Sequence, residues 1–96
     1  MKLVLITYNE ALDEEVEDLL RDNGLAGFTK WTKVYGKGES SGPHLGSHVW
    51  PKANNVRFVA MEDDVAAAVM EAVRRLRETF GHQGIKAFAL PLDEIT

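Results

Sequence analysis

The chain opens on an almost unbroken apolar run, Leu3-Val4-Leu5-Ile6 followed by Thr7 and Tyr8. Its β-branched members predict a strand over residues 2–8 that is covered on at least one face. The period then changes. Leu12, Val16, Leu19 and Leu20 recur at i, i+4, i+7 and i+8, which sets them on one stripe of a helix. Asn9 offers a side-chain oxygen to the free amides of the first turn. Glu10, Asp13, Glu14 and Glu15 lie near the positive end of the helix dipole, and Gly24 suits the left-handed position that closes a helix. A helix over about 10–23 follows. The acidic run Asp13-Glu14-Glu15 reads as a solvated face with no chemistry of its own.

Residues 28–36 are aromatic and β-branched, so a second strand is expected there. Strict alternation puts Phe28 and Val34 on one face with Lys30 and Thr32, and Trp31 and Tyr35 on the other with Thr29 and Lys33. Val56, Phe58 and Ala60 alternate with Arg57, Val59 and Met61 and predict a third strand. Asp63 or Asp64 caps a second helix, whose stripe is Val65, Val69, Ala72, Val73, Leu76 and Phe80 and which ends at Gly81. Residues 85–90 form the last strand, stopped by Pro91. Between the middle strands lies the segment from Lys37 to Asn54, rich in Gly, Ser and His. A connection of that length inside a compact domain is uncommon and is usually functional or disordered.

The order β-α-β-β-α-β is a doubled unit, one copy over about 1–36 and the other over about 55–90. Right-handed crossovers then give a single α+β domain over 1–96 of the ferredoxin-like kind, a four-stranded antiparallel sheet with two helices on one face. The other sheet face has no covering element, so association through it is expected.

Composition narrows the classes. The 96 residues include 45% hydrophobic and 27% charged side chains, the balance of an ordinary globular protein. There is no cysteine, which excludes disulfides and thiolate zinc sites and suits the cytoplasm. The apolar start is too short for a signal peptide, and no stretch approaches the ~20 apolar residues of a membrane span. A formal net charge of −4 repels phosphate backbones and argues against nucleic acid as a partner.

Three segments carry a family resemblance: Gly24-Leu25-Ala26-Gly27-Phe28-Thr29 after the first helix, Gly36-Lys37-Gly38 at the opening of the long loop, and the ending Gly84-Ile85-Lys86-Ala87-Phe88-Ala89-Leu90-Pro91-Leu92-Asp93-Glu94-Ile95. With their order and spacing, the chain resembles a divergent, short member of the PII-like (nitrogen regulatory protein P-II) signalling proteins. The resemblance implies a ferredoxin-like fold, a compact homotrimer and a loop after the second strand, the T-loop, that reaches a regulated partner protein. It also implies a loop before the last strand, the B-loop, that helps hold ATP or ADP between subunits. The departures are specific. The 81–84 loop is short and lacks the family's Asp-Gly step. Glu39 stands where nucleotide-binding members carry a basic residue. The T-loop is short and has no tyrosine, and the ending at Thr96 leaves no C-terminal arginines to reach a neighbour's nucleotide.

Candidate ligand-binding residues are accordingly Gly36, Lys37 and Gly38, which would line the intersubunit cleft, and Gly81, Gly84 and Lys86. In the latter set, backbone amides would approach an anion while the lysine adds charge. Against this, Gly81 and Gly84 serve equally as helix-end and turn glycines, and Lys86 as an exposed strand lysine. His44 and His48 are candidate ligands for a divalent metal, with Glu39 and His82 nearby in kind; three or four converging donors would be needed. Histidines in a loop also serve as polar loop residues, or make it responsive to pH. Trp50-Pro51 suits an anchor for the returning loop. Ser40 and Ser41 have no recognisable base or oxyanion partner, so no catalytic residue is assigned. The expected function is regulatory and non-enzymatic: a small-molecule or ion effector, an adenine nucleotide or a divalent metal, binds between subunits of a cytoplasmic trimer. A metal-binding trimer of CutA-like architecture is the alternative, and a small ferredoxin-like enzyme a third class.

Overall fold

The computed structural model describes residues 1–37 and 53–96. Strand β1 spans Lys2–Asn9, a 3-10 turn follows over Glu10–Leu12, and helix α1 over Asp13–Asp22. Strand β2 covers Thr29–Val34, β3 Asn54–Met61, helix α2 Asp63–Phe80, a second 3-10 turn Gly81–Gln83, and β4 Ile85–Pro91. The sheet order is β2-β3-β1-β4, and every neighbouring pair is antiparallel. This is the ferredoxin-like α+β arrangement that the doubled unit predicts.

The strand register sorts side chains onto two faces, because residues directly opposite one another share a face. Val4, Ile6 and Tyr8 stand opposite Val59, Arg57 and Asn55 on one side and Ala89, Ala87 and Ile85 on the other. This face meets the helices: Val4, Ile6, Tyr8, Met61 and Ile85 pack with Leu12, Val16, Leu19 and Leu20 and with Ala66, Val69 and Val73. Gly24, at φ +77°, closes α1 as expected, and its amide donates to the Arg21 carbonyl. Asn9 Oδ1 accepts from Ala11 N at 2.9 Å, but the turn that it caps is 3-10 and the α-helix proper begins only at Asp13.

The opposite face carries Leu3, Leu5 and Thr7, flanked by Ala60, Phe58 and Val56 and by Leu90, Phe88 and Lys86. Trp31 lies opposite Val56, its ring 5.0 Å from that of Phe58. No described element covers this face. Trp31, Phe88 and Leu90 are all more than two-fifths exposed, so a contiguous apolar surface faces outward.

Strand β2 corrects the simple alternation. Trp31 pairs with Val56 but Val34 pairs with Asn54, so three steps on β2 match two on β3. The extra residue is a bulge, and Lys33 absorbs it at φ +57°. Val34 thereby turns to the Trp31 side of the sheet instead of sharing the side of Lys30. A left-handed, non-glycine residue costs on the order of 1–2 kcal/mol, partly returned when glycine replaces it. Lys33→Gly is therefore expected to hold or slightly raise the urea midpoint. Lys33→Val, with a β-branched side chain at the same φ, should lower stability by about 1 kcal/mol or more.

Candidate functional site

One end of the sheet gathers the chemistry-bearing turns. There β1 ends at Asn9, β2 at Val34, while β3 begins at Asn54 and β4 at Ile85. Two backbone bonds tie this end together: Asn9 N donates to Gly84 O at 3.0 Å, and Glu10 N to Ala53 O at 3.2 Å. Gly84, at φ +87°, turns the chain from the 81–83 segment into β4, a conformation that an L side chain would strain. An open cleft of about 460 Å³ lies here, lined by Asn9, Glu10, Ala11, Ala53, His82 and Gln83. Its walls thus come from the first turn after β1, the returning root of the long loop, and the short turn before β4.

The candidate residues distribute around this end. Gly81 and Gly84 bracket His82 and Gln83 at the cleft. Gly36 adjoins Asn54, whose Nδ2 would stand 3.4 Å from any Cβ added to it, so Gly36 and Lys37 occupy the same end on the β2 side. Strands β3 and β1 intervene between β2 and β4, a separation of three strand spacings, or roughly 14 Å. Lys86 points to the uncovered face, opposite Thr7, and does not line the cleft. Gly38, His44 and His48 lie outside the described residues, as do Glu39, Ser40, Ser41 and Trp50-Pro51. Among the described residues no group of three or more His, Asp or Glu side chains is placed to hold a metal.

Sequence reasoning missed the most elaborate polar constellation among the described residues. Arg57 is 1% exposed on the helix-facing side of β3. Its Nε donates to Tyr8 Oη at 2.9 Å, and one terminal nitrogen donates to Asp13 Oδ1 at 3.1 Å. Asp13 also accepts from Tyr8 Oη at 2.6 Å, from Lys30 Nζ at 2.9 Å and from Asn55 Nδ2 at 3.2 Å. Glu17 stands 3.8 Å from the other terminal nitrogen of Arg57, and the Phe28 ring lies 4.4 Å from the guanidinium carbon, within cation–π range. Two cations thus face two carboxylates. Asp13 is therefore the hub of a network and not part of a solvated face, as the acidic run had implied. The one signal in the sequence is an arginine between Val56 and Phe58 in a strand; that it faces inward and needs a buried acceptor follows only from the register of β3.

The network sets the protonation of its members. Burial works to raise the Asp13 carboxyl, but the hydrogen bonds from Tyr8, Lys30 and Arg57 outweigh it and hold the group well below the usual carboxylate range. The Tyr8 phenol is pushed up to about 12, by burial first and then by its bond to Asp13. Burial opposes the charge on Arg57, yet Tyr8 and Asp13 keep it more firmly protonated than a free arginine.

Removing Asp13 leaves a buried guanidinium without its carboxylate, so Asp13→Asn should lower unfolding stability by about 3 kcal/mol in urea titrations. The pH dependence follows in sign. The folded carboxyl titrates below its free value of 3.8, so its stabilisation is full above that value and is lost as pH falls below it. Wild-type midpoints should drop steeply there, and those of Asp13→Asn much less. Tyr8 behaves oppositely: its neutral form stabilises the fold below its free value of 10, and this is lost as pH rises toward 12. Ultraviolet titration should show a late tyrosinate step that is absent in Tyr8→Phe.

Comparison with known proteins agrees with this architecture. No curated protein matches the chain. A nitrogen regulatory PII-like protein from Thiomonas intermedia K12, CPII, solved bound to ADP, AMP and bicarbonate, superposes with a TM-score of 0.69 at 23% identity, over 92% of this chain and 84% of that one. The same protein bound to ADP, AMP and acetate gives 0.70 at 22% identity, over 93% and 82%. A chain described as a PII-like signalling protein from Thermus thermophilus gives 0.65 at 23% identity, over 92% and 82%. The model of the family "Nitrogen regulatory protein P-II" matches residues 1–96, and the chain belongs to that family.

Proposed function

We propose that the chain is a PII-like regulatory protein without catalytic activity, working in the cytoplasm as a homotrimer. A small effector binds at the clefts between subunits, and the 37–54 loop acts on a partner protein. The observation that carries this reading is the convergence of the loop's root and the 81–84 turn at one end of the sheet. Ala53 and Gly84 are both bonded to consecutive residues of the same turn, Glu10 and Asn9, so an effector seated there bears directly on the base of the loop. Switching requires that the effector bind two loop states with different affinity.

Two further observations support it. The uncovered sheet face, with Trp31, Phe88 and Leu90 exposed, is the kind of apolar surface that self-association buries. CPII was solved with ADP, AMP and bicarbonate, which makes an adenine nucleotide or a small anion the effector class to test first. Gly36, Lys37, Gly38, Gly81, Gly84 and Lys86 are the residues proposed to contact it. Those on the β2 edge and those on the β4 edge would meet across a subunit boundary, which fits their spacing within one chain.

Native mass spectrometry with a thermal-shift panel of ATP, ADP, AMP, bicarbonate and divalent metals tests the reading. A trimer mass is expected, with a stabilisation of about 2.7 kcal/mol at 100-fold excess over the dissociation constant of the true effector. A monomer at micromolar concentration overturns the trimer, and a panel without any shift overturns the effector reading. A shift by copper or zinc that His44→Ala and His48→Ala abolish would replace it with metal binding.

A further inference from the structure

We infer that Asp13 is a clamp that holds both strands flanking the long loop to helix α1, and that its release lets β2 and the loop's root open ahead of the rest of the fold. One carboxylate receives Lys30 from β2, before the loop, and Asn55 and Arg57 from β3, after it. Lys30 lies four residues before the end of β2, and Asn55 one residue after the start of β3.

Strand β2 depends on this grip more than any other strand. It is an edge strand paired only to β3, and its ladder is interrupted by the Lys33 bulge. None of its side chains joins the apolar core, whereas β1, β3 and β4 all contribute to it. Among the described residues its side-chain links toward the helix layer include the Lys30–Asp13 ion pair and the stacking of the preceding residue, Phe28, on Arg57, itself bonded to Tyr8 and Asp13. The first ends on the Asp13 carboxylate, and the second on a guanidinium that the same carboxylate orients. Segments with few buried apolar contacts open locally at lower free energy than the core, and here one ion pair governs that opening.

The clamp also adjoins the cleft. Asn9, Glu10 and Ala11 line it, and Asp13 begins α1 two residues later, so cleft and clamp share one short turn. Closure of the clamp and occupancy of the cleft therefore act on the same piece of backbone, which couples the docking of β2 and the loop's root to the cleft.

Native-state hydrogen exchange read by mass spectrometry tests this on the full chain. Lys30→Met keeps the aliphatic stem and removes the charge, so peptides over 29–34 should exchange about fivefold faster, the effect of a partly buried ion pair. Peptides from β1 and β4 should keep their wild-type rates. Asp13→Asn should accelerate 29–34 as well, together with a fall in global stability. Unchanged exchange over 29–34 in Lys30→Met, or an equal acceleration in β1 and β4, overturns the clamp.

Discussion

Everything on the helix side of the sheet is arranged around a guanidinium in an apolar layer. Arg57 sits 1% exposed opposite Ile6 on the helix-facing side. One of its terminal nitrogens has no hydrogen-bond acceptor and stands 3.8 Å from Glu17, so the remaining nitrogens must be bonded and the charge opposed. Meeting that demand requires Tyr8 from β1, Asp13 from α1 and Phe28 from the entry to β2. The position of α1 on the sheet, the delayed start of the α-helix at Asp13 and the approach of Lys30 are all consistent with the geometry this one side chain needs. Buried ionic groups are often less stabilising than a well-packed apolar set of similar volume. What they supply is direction: hydrogen bonds have angles, so the helix meets the sheet in one register.

The sheet consequently has two faces of different character. The helix side combines apolar packing with a directional polar network. The outward side is apolar and aromatic, with Trp31 and Phe58 in contact and Phe88 and Leu90 exposed beside them. The first fixes the helices on the sheet, and the second leaves an apolar surface without a covering element among the described residues.

Much of the architecture was legible because period and punctuation agreed. The stripe Leu12, Val16, Leu19 and Leu20 and the terminator Gly24 placed α1, and the alternation around Val56 and Phe58 placed β3. The bulge was not legible, since nothing about Lys33 distinguishes a left-handed lysine from an extended one until the partner strand imposes its count. Nor was the role of Asp13. Three consecutive acids at a helix start satisfy the dipole equally well, and only the register of β3, which turns Arg57 inward, singles out one of them. Of the candidate site, the glycine-bracketed turn at 81–84 could be read from the chain, but its meeting with the loop root depends on bonds between Asn9 and Gly84 and between Glu10 and Ala53, residues far apart in sequence.

The bulge at Lys33 has a consequence for how such a fold can vary. Upstream, β2 is set by Lys30 and Trp31; downstream, β3 is set by Asn55 and Arg57; between them the bulge absorbs the odd residue. The strands on either side are thus fastened independently of the chain that joins them. Lengthening a loop costs slowly, about 0.6 kcal/mol for each doubling, so the connection from Val34 to Asn54 behaves as a cassette. Its length and content are free to diverge while the scaffold beneath keeps its register, so connections of different length fit the same platform.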